Sequence, residues 1–357
     1  MGTTRLLFTL AATCISLASA FCLGSTASAE DIQNVYATNY PFPGTTGELR
    51  KQTIDTLRGK KIGYVIIAQG FPLIDAWTSV IKYETAFSGM ELVMQDGNFS
   101  PDVMTQGIAS AIAKKVDVLI VQNFDIKAFS KQLKEAEDAG IYVIQLNMNS
   151  TYKTDAFVGA DYLGIGTQIA TDLVRDCSPD KGKSGKIAVV QGNTSASASF
   201  DQYKAAQAIF AQHPEIKVVS DQSAGPLWSS DNAKQIVAAA LLQHPDLCAV
   251  YGMWDSMDLG SAAAIKEAGK TTSVGLYTSG SGAKQMCDLV ESGGITKYYA
   301  YNSVRQGHDI MDVARMLLLL KPPVGKSTLA LFSPISVITK DNGKPWSCFD
   351  EAMVAQH

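Results

Sequence analysis

The side chains able to do chemistry in this 357-residue chain are notable first for what they leave out. There is no G-x-S-x-G, no H-E-x-x-H, no P-loop and no G-x-G-x-x-G after a strand, and no enzyme is expected. His213, His244, His308 and His357 are scattered and no C-x-x-C pair exists, so neither a metal nor another cofactor is expected. What remains is the chemistry of recognition. Gln69 and Phe71 lie in the turn 68–72, with Leu73 just beyond Pro72. Trp77, Trp228, Trp254 and Tyr301 stand near strand or helix ends, and Asn147, Asn149, Asn302, Asp255 and the hydroxyl-rich run 194–199 supply polar groups. Aromatic faces hold the apolar faces of rings or a quaternary ammonium, while amides orient a ligand through hydrogen bonds. Each residue also has a plain structural use: the rings as core or hinge packing, Asp255 as a helix N-cap, and 194–199 as a flexible loop.

The elements that must position these groups follow from hydrophobic periodicity. Residues 62–67 form a short β-branched run ended by Gln69, Gly70 and Pro72, and from Leu73 the apolar spacing becomes helical. This strand, loop, helix unit recurs. Strands are predicted at 92–95, 116–121 and 141–146 with helices at 102–115 and 126–139; after 157–159 and a helix at 163–175, a linker rich in Lys, Gly and Pro over 178–185 restarts the pattern. Strands then fall at 187–191, 216–220, 248–251 and 273–277, with helices at 200–212, 231–243, 257–268 and 283–291. A strand at 297–301 leads to a helix at 306–320 and a strand at 334–338 that are expected to return to the first half. The fold class is α/β, two doubly wound parallel-sheet lobes joined by a multi-crossing hinge. Open α/β sheets bind ligands outside the carboxyl ends of their strands, which places recognition in a cleft between the lobes.

Composition narrows the partners. A hydrophobic fraction of 46% against 18% charged residues can fill two cores, and a net charge of −4 without a Lys/Arg run excludes nucleic acid and anionic lipid as expected partners. Arg5 precedes an apolar run over 6–23, and Ala27-Ser28-Ala29 has the small-x-small form of a cleavage site, so residues 1–29 are read as a removed secretory signal. Residues 30–59, with Pro41, Pro43, Gly44 and Gly47, read as an extended arm. Lobe 1 is assigned 60–157 and 302–338, lobe 2 158–301, and a C-terminal tail 339–357.

The chain resembles the type I periplasmic binding proteins of bacterial ABC transporters, in the ribose- and galactose-binding branch related to LacI-type regulators. The resemblance rests on the turn after 62–67, on 116–121 followed by Asn123, on 141–147, on Val158-Gly159-Ala160-Asp161 with Gly166 and Ala170, and on Asp255 ahead of a helix. It implies a periplasmic, monomeric solute-binding protein that captures a small molecule and delivers it to an inner-membrane ABC permease. Presentation to a chemoreceptor or sensor kinase is the alternative. A LacI-type regulator would need a basic helix-turn-helix ahead of residue 60, and none is there.

Where sugar binders of the branch usually carry Asp-Arg after the fourth strand, this chain has Asn147 and Met148. Phe200 aligns with another Arg, Trp254 with an Asn, Tyr277 with an Asp and Tyr301 with a Gln. The implied ligand set is Gln69, Phe71, Leu73, Asn147, Met148, Phe200, Trp228, Trp254, Asp255, Tyr277 and Tyr301, which suits a sugar or polyol or a more aromatic, less polar analogue. Four cysteines follow the signal. Cys177 and Cys248 fall at the sheet edge remote from the ligand on neighbouring elements, which predicts their pairing and leaves Cys287 to meet Cys348.

Overall fold

In a computed structural model of the protein, residues 45–344, 347–350 and 352 are described. The predicted signal (1–29), residues 30–44 of the arm and parts of the tail lie outside them. The first sheet contains β1 (Lys61–Ile66), β2 (Glu91–Asp96), β3 (Val118–Val121), β4 (Tyr142–Leu146), β5 (Ala156–Gly159) and β11 (Leu329–Phe332). Its order is β2-β1-β3-β4-β5-β11 and every pair is parallel. The second contains β6 (Lys186–Gln191), β7 (Lys217–Ser223), β8 (Ala249–Gly252), β9 (Gly275–Gly280), β10 (Lys297–Ala300) and β12 (Ser336–Ile338), ordered β7-β6-β8-β9-β10-β12. The two halves therefore repeat one doubly wound topology.

Helices cover both sheets, as strands that are apolar on both faces require. They are α1 (Thr45–Leu57), α2 (Pro72–Phe87), α3 (Pro101–Ala113), α4 (Ser130–Asp138), α5 (Tyr162–Cys177), α6 (Ser197–Phe210), α7 (Ser230–Gln243), α8 (Asp255–Glu267), α9 (Lys284–Glu291) and α10 (Ser303–Leu320). Pro72 at the first turn of α2 suits a position whose N–H has no intrahelical partner. Its inward stripe, including Leu73, Ile74, Trp77, Val80 and Ile81, is buried. Trp77 is a core residue: its ring has no exposure, and its indole Nε1 donates to Gln306 Oε1 of α10 at 2.9 Å.

Three sequence expectations need correction. Residues 45–57 form a helix that packs on α10, because a run with good helix formers and one buried end, Leu57, needs no long apolar stripe. The strand near 334–338 joins the second sheet: β12 runs antiparallel to β10, with Tyr299 opposite Val337, and the first sheet is completed by β11 against β5. The remaining shift is β9, which continues through Thr278, Ser279 and Gly280, all buried, where polar character hides the strand.

The chain passes between the sheets after β5, after β10 and between β11 and β12. Cys177 at the end of α5 is bonded to Cys248 just before β8, with Cα atoms 5.8 Å apart; Cys287 of α9 is bonded to Cys348, at 6.1 Å.

Beneath the carboxyl ends of the second sheet lies a buried carboxylate pair. Asp255 accepts from Ser281 N–H and Oγ and from Tyr298 Oη, each at 2.7 Å, and Asp258 accepts from Thr278 Oγ1 at 2.6 Å and Ser261 Oγ at 2.8 Å. Burial pushes the Asp258 carboxyl up to about 7, against the pull of these hydroxyls, and the neighbouring Asp255 charge adds to the rise. Because the folded state holds this proton more tightly than the unfolded chain, where an Asp titrates near ~4, the group's stabilisation is complete below about pH 4 and is lost as pH rises towards 7. Asp258→Asn should therefore flatten the stability profile between about pH 4 and 7, by about 1 kcal/mol per pH unit. Denaturant melts of both proteins across that range check this. Parallel profiles would contradict it.

Candidate binding cleft

The loops at the carboxyl ends of the two sheets face each other across a narrow cavity of about 50 Å³. Lobe 1 contributes Ile67 and Phe71 after β1, Phe99 after β2, Gln122 and Phe124 after β3, Asn147 and Met148 after β4, and Leu73 and Ile74 from the first turn of α2. Lobe 2 contributes Asn193 and Ala198 around the start of α6, Pro226 and Trp228 after β7, and Met253 and Trp254 after β8. Tyr162 and Tyr301, next to the first two crossings, complete the lining. No Asp, Glu, Lys, Arg or His is among these residues, and the surface they turn to the cavity is almost wholly apolar.

The rings form a connected set spanning the lobes. Phe71 packs edge-on against Phe99 with centroids 5.7 Å apart, and lies tilted at 51° against Trp254 of the other lobe at 5.2 Å. Trp254 meets Trp228 edge to face, at 5.8 Å and 80°. Local backbone sets these positions. Phe71 is extended and sits just before Pro72, so its ring projects from the strand end. Trp228 adopts the left-handed region, φ 54°, and its ring lies on the backbone of Gly192, where an added Cβ would stand 1.8 Å from it. Only glycine fits there.

The polar groups at the floor are engaged with one another. Gln306 Nε2 donates to Asn147 Oδ1 at 3.5 Å, and Asn147 Nδ2 donates to Tyr162 Oη at 2.6 Å. Asn147 Oδ1 also accepts from Ala160 N–H. Tyr162 packs edge-on against Tyr301, whose hydroxyl pairs with Ser279 Oγ, and that hydroxyl donates in turn to Gln202 Oε1. With Trp77 bonded to Gln306, this buried chain runs from one core to the other beneath the cleft.

The lobes are also bonded at the cleft rim. Ile126 N–H donates to Ser195 O at 2.8 Å, Asn193 Nδ2 to Phe124 O at 3.2 Å, and Asn149 N–H to Ser197 Oγ at 3.1 Å. Together with the Phe71–Trp254 contact these bonds hold the cleft closed.

Residues 62–322 match the periplasmic binding protein domain family. The chain belongs to that family. Its relatives include the galactofuranose-binding protein of Escherichia coli, 28% identical over 201 residues, 54% of this chain and 62% of that protein. The xylitol-binding protein of Mycolicibacterium smegmatis is 26% identical over 216 residues, 59% of each. The chain thus spans about three-fifths of the length of these curated relatives. Among solved structures, a Mycobacterium smegmatis protein in complex with β-D-fucofuranose superposes with a TM-score of 0.72 at 22% identity, covering 84% of this chain and 97% of that one. A Bacillus halodurans solute-binding protein with bound myo-inositol gives 0.69 at 19% identity, covering 84% and 99%. At these identities the likeness is one of fold.

In this periplasmic binding protein, Phe71, Leu73, Asn147, Met148, Trp228, Trp254 and Tyr301, expected from the sequence, all line one cavity. Four expected residues do not. Gln69 is exposed, and its backbone N–H reaches Asp96 Oδ2. Phe200 lies one turn inside α6, which begins at Ser197, so its ring faces solvent under Lys204 Nζ at 5.2 Å. Asp255 is turned inward, as described above. Tyr277 is mid-strand in β9, and its hydroxyl donates to Asp176 Oδ2 at 2.8 Å, away from the cleft. Asn302, with φ 57°, bonds Pro334 O and Ser336 Oγ at the crossings, so it braces the hinge. The sequence reading missed Phe99, Phe124, Tyr162, Asn193 and Met253. The one available signal was position, since most follow a strand's last residue.

Proposed function

We propose that the protein captures one small neutral molecule between its lobes in the periplasm, closes on it, and hands it to the permease of an ABC importer. The observation that carries this reading is the Phe99–Phe71–Trp254–Trp228 ring set, drawn from both lobes and lining one cavity between them. Belonging to the binding-protein family supports the same reading, as do relatives named for galactofuranose and xylitol. Three interlobe crossings provide a hinge about which such closure turns. A cleaved signal and an acting monomer are part of the proposal.

Thermal-shift screening of sugars, polyols, aromatic compounds and ammonium compounds tests capture. A bound compound at a hundred times its dissociation constant should stabilise the fold by roughly 2.7 kcal/mol and reduce the radius of gyration from that of any open form. Unchanged melting and scattering across the whole panel would count against it.

A further inference from the structure

Resting on the capture reading, we infer that the ligand is a neutral, largely apolar ring compound with one hydrogen-bond acceptor, and not a polyhydroxylated sugar. A sugar enclosed here would bury several hydroxyls, each needing a partner. Most polar atoms of the lining side chains are already engaged inside the protein. Asn147 bonds Tyr162 and Ala160, Tyr301 bonds Ser279, and Asn193 holds Phe124 O through its amide nitrogen and Ser195 through its oxygen. Gln122 Oε1 accepts from Ile67 N–H. Freeing any of them would break the floor or the rim contacts that hold the lobes together.

A cation fits no better. Among the described residues no carboxylate lines the cavity, and Trp254 packs tilted against Phe71 at 5.2 Å and edge to face against Trp228 at 5.8 Å, without the open centre of an ammonium cage. In contrast, Trp254 Nε1 is buried without a hydrogen-bond partner. Such a donor is left unsatisfied only at a cost, and an acceptor on the ligand would complete it.

Calorimetric titration of the full-length protein with acetophenone, ethylbenzene, myo-inositol and phenyltrimethylammonium tests the inference. Acetophenone should bind at least tenfold more tightly than ethylbenzene, with no heat from inositol or the cation. Trp254→Phe, which keeps a ring but removes the N–H, should abolish the difference between the first two. Tightest binding by inositol or by the cation would overturn the inference while leaving capture intact, and a preference for acetophenone that survives Trp254→Phe would overturn the role of Nε1. Silence from all four compounds would overturn the ligand class, and capture itself falls only if the wider thermal screen is silent too.

Discussion

Replacing Trp228 and Trp254 together with alanine is expected to weaken binding of the best compound from the thermal screen by about 4 kcal/mol, roughly a thousandfold. The two indoles meet at 5.8 Å, and Trp254 also carries the ring contact to Phe71 across the lobes. Truncating Trp254 therefore removes ligand surface and part of the closed interface at once, so its share should exceed that of Trp228. Neither ring fills the middle of a lobe core, and circular dichroism and melting of the empty protein should change little. Titration calorimetry on the single and double variants measures the effect. Full affinity in the double variant would reassign both rings to hinge packing.

Breaking the Cys177–Cys248 bond should cost about as much in stability. The bond closes a loop of 71 residues that includes β6, α6, β7 and α7. Loop-closure entropy puts its contribution at about 4 kcal/mol. Cys248→Ser with Cys177→Ser should lower the urea midpoint accordingly while leaving affinity unchanged at temperatures where the variant is folded, because the bond lies at the sheet edge opposite the cleft. Losing the Cys287–Cys348 bond, whose loop of 61 residues joins α9 to the last described segment, should affect mainly that segment. A double variant as stable as the parent would show that the bond contributes nothing.

The pattern of strands and helices was legible because strands buried on both faces, such as Val118–Val121, are continuously apolar, and helices such as α2 carry one inward stripe. The cleft was legible where a residue directly follows a readable strand, as Phe71 and Asn147 do. It failed where the boundary was hidden. Thr278, Ser279 and Gly280 extend β9 without an apolar signature, which moved Tyr277 to a strand end it does not occupy. Ser197, Ala198 and Ser199 start α6 earlier than the apolar period indicates, which put Phe200 at a helix start. Phe99 was lost for a different reason: it stands in the short turn between β2 and α3 with φ 56°, a conformation unusual for a bulky side chain and not signalled by residue type.

The order in which the chain visits its two sheets also governs how it can be made. Strand β5 is laid down early, yet its outer neighbour β11 arrives only at Leu329, after every other strand of the second sheet but β12. A nascent polypeptide therefore carries an unfinished sheet with an open hydrogen-bonding edge through the synthesis of more than 160 further residues, and fragments cut ahead of Leu329 keep that edge bare. Pairing across such sequence distances is slow. Slow completion keeps a newly made chain loose for longer, the condition in which a polypeptide can still be threaded through a narrow translocation channel.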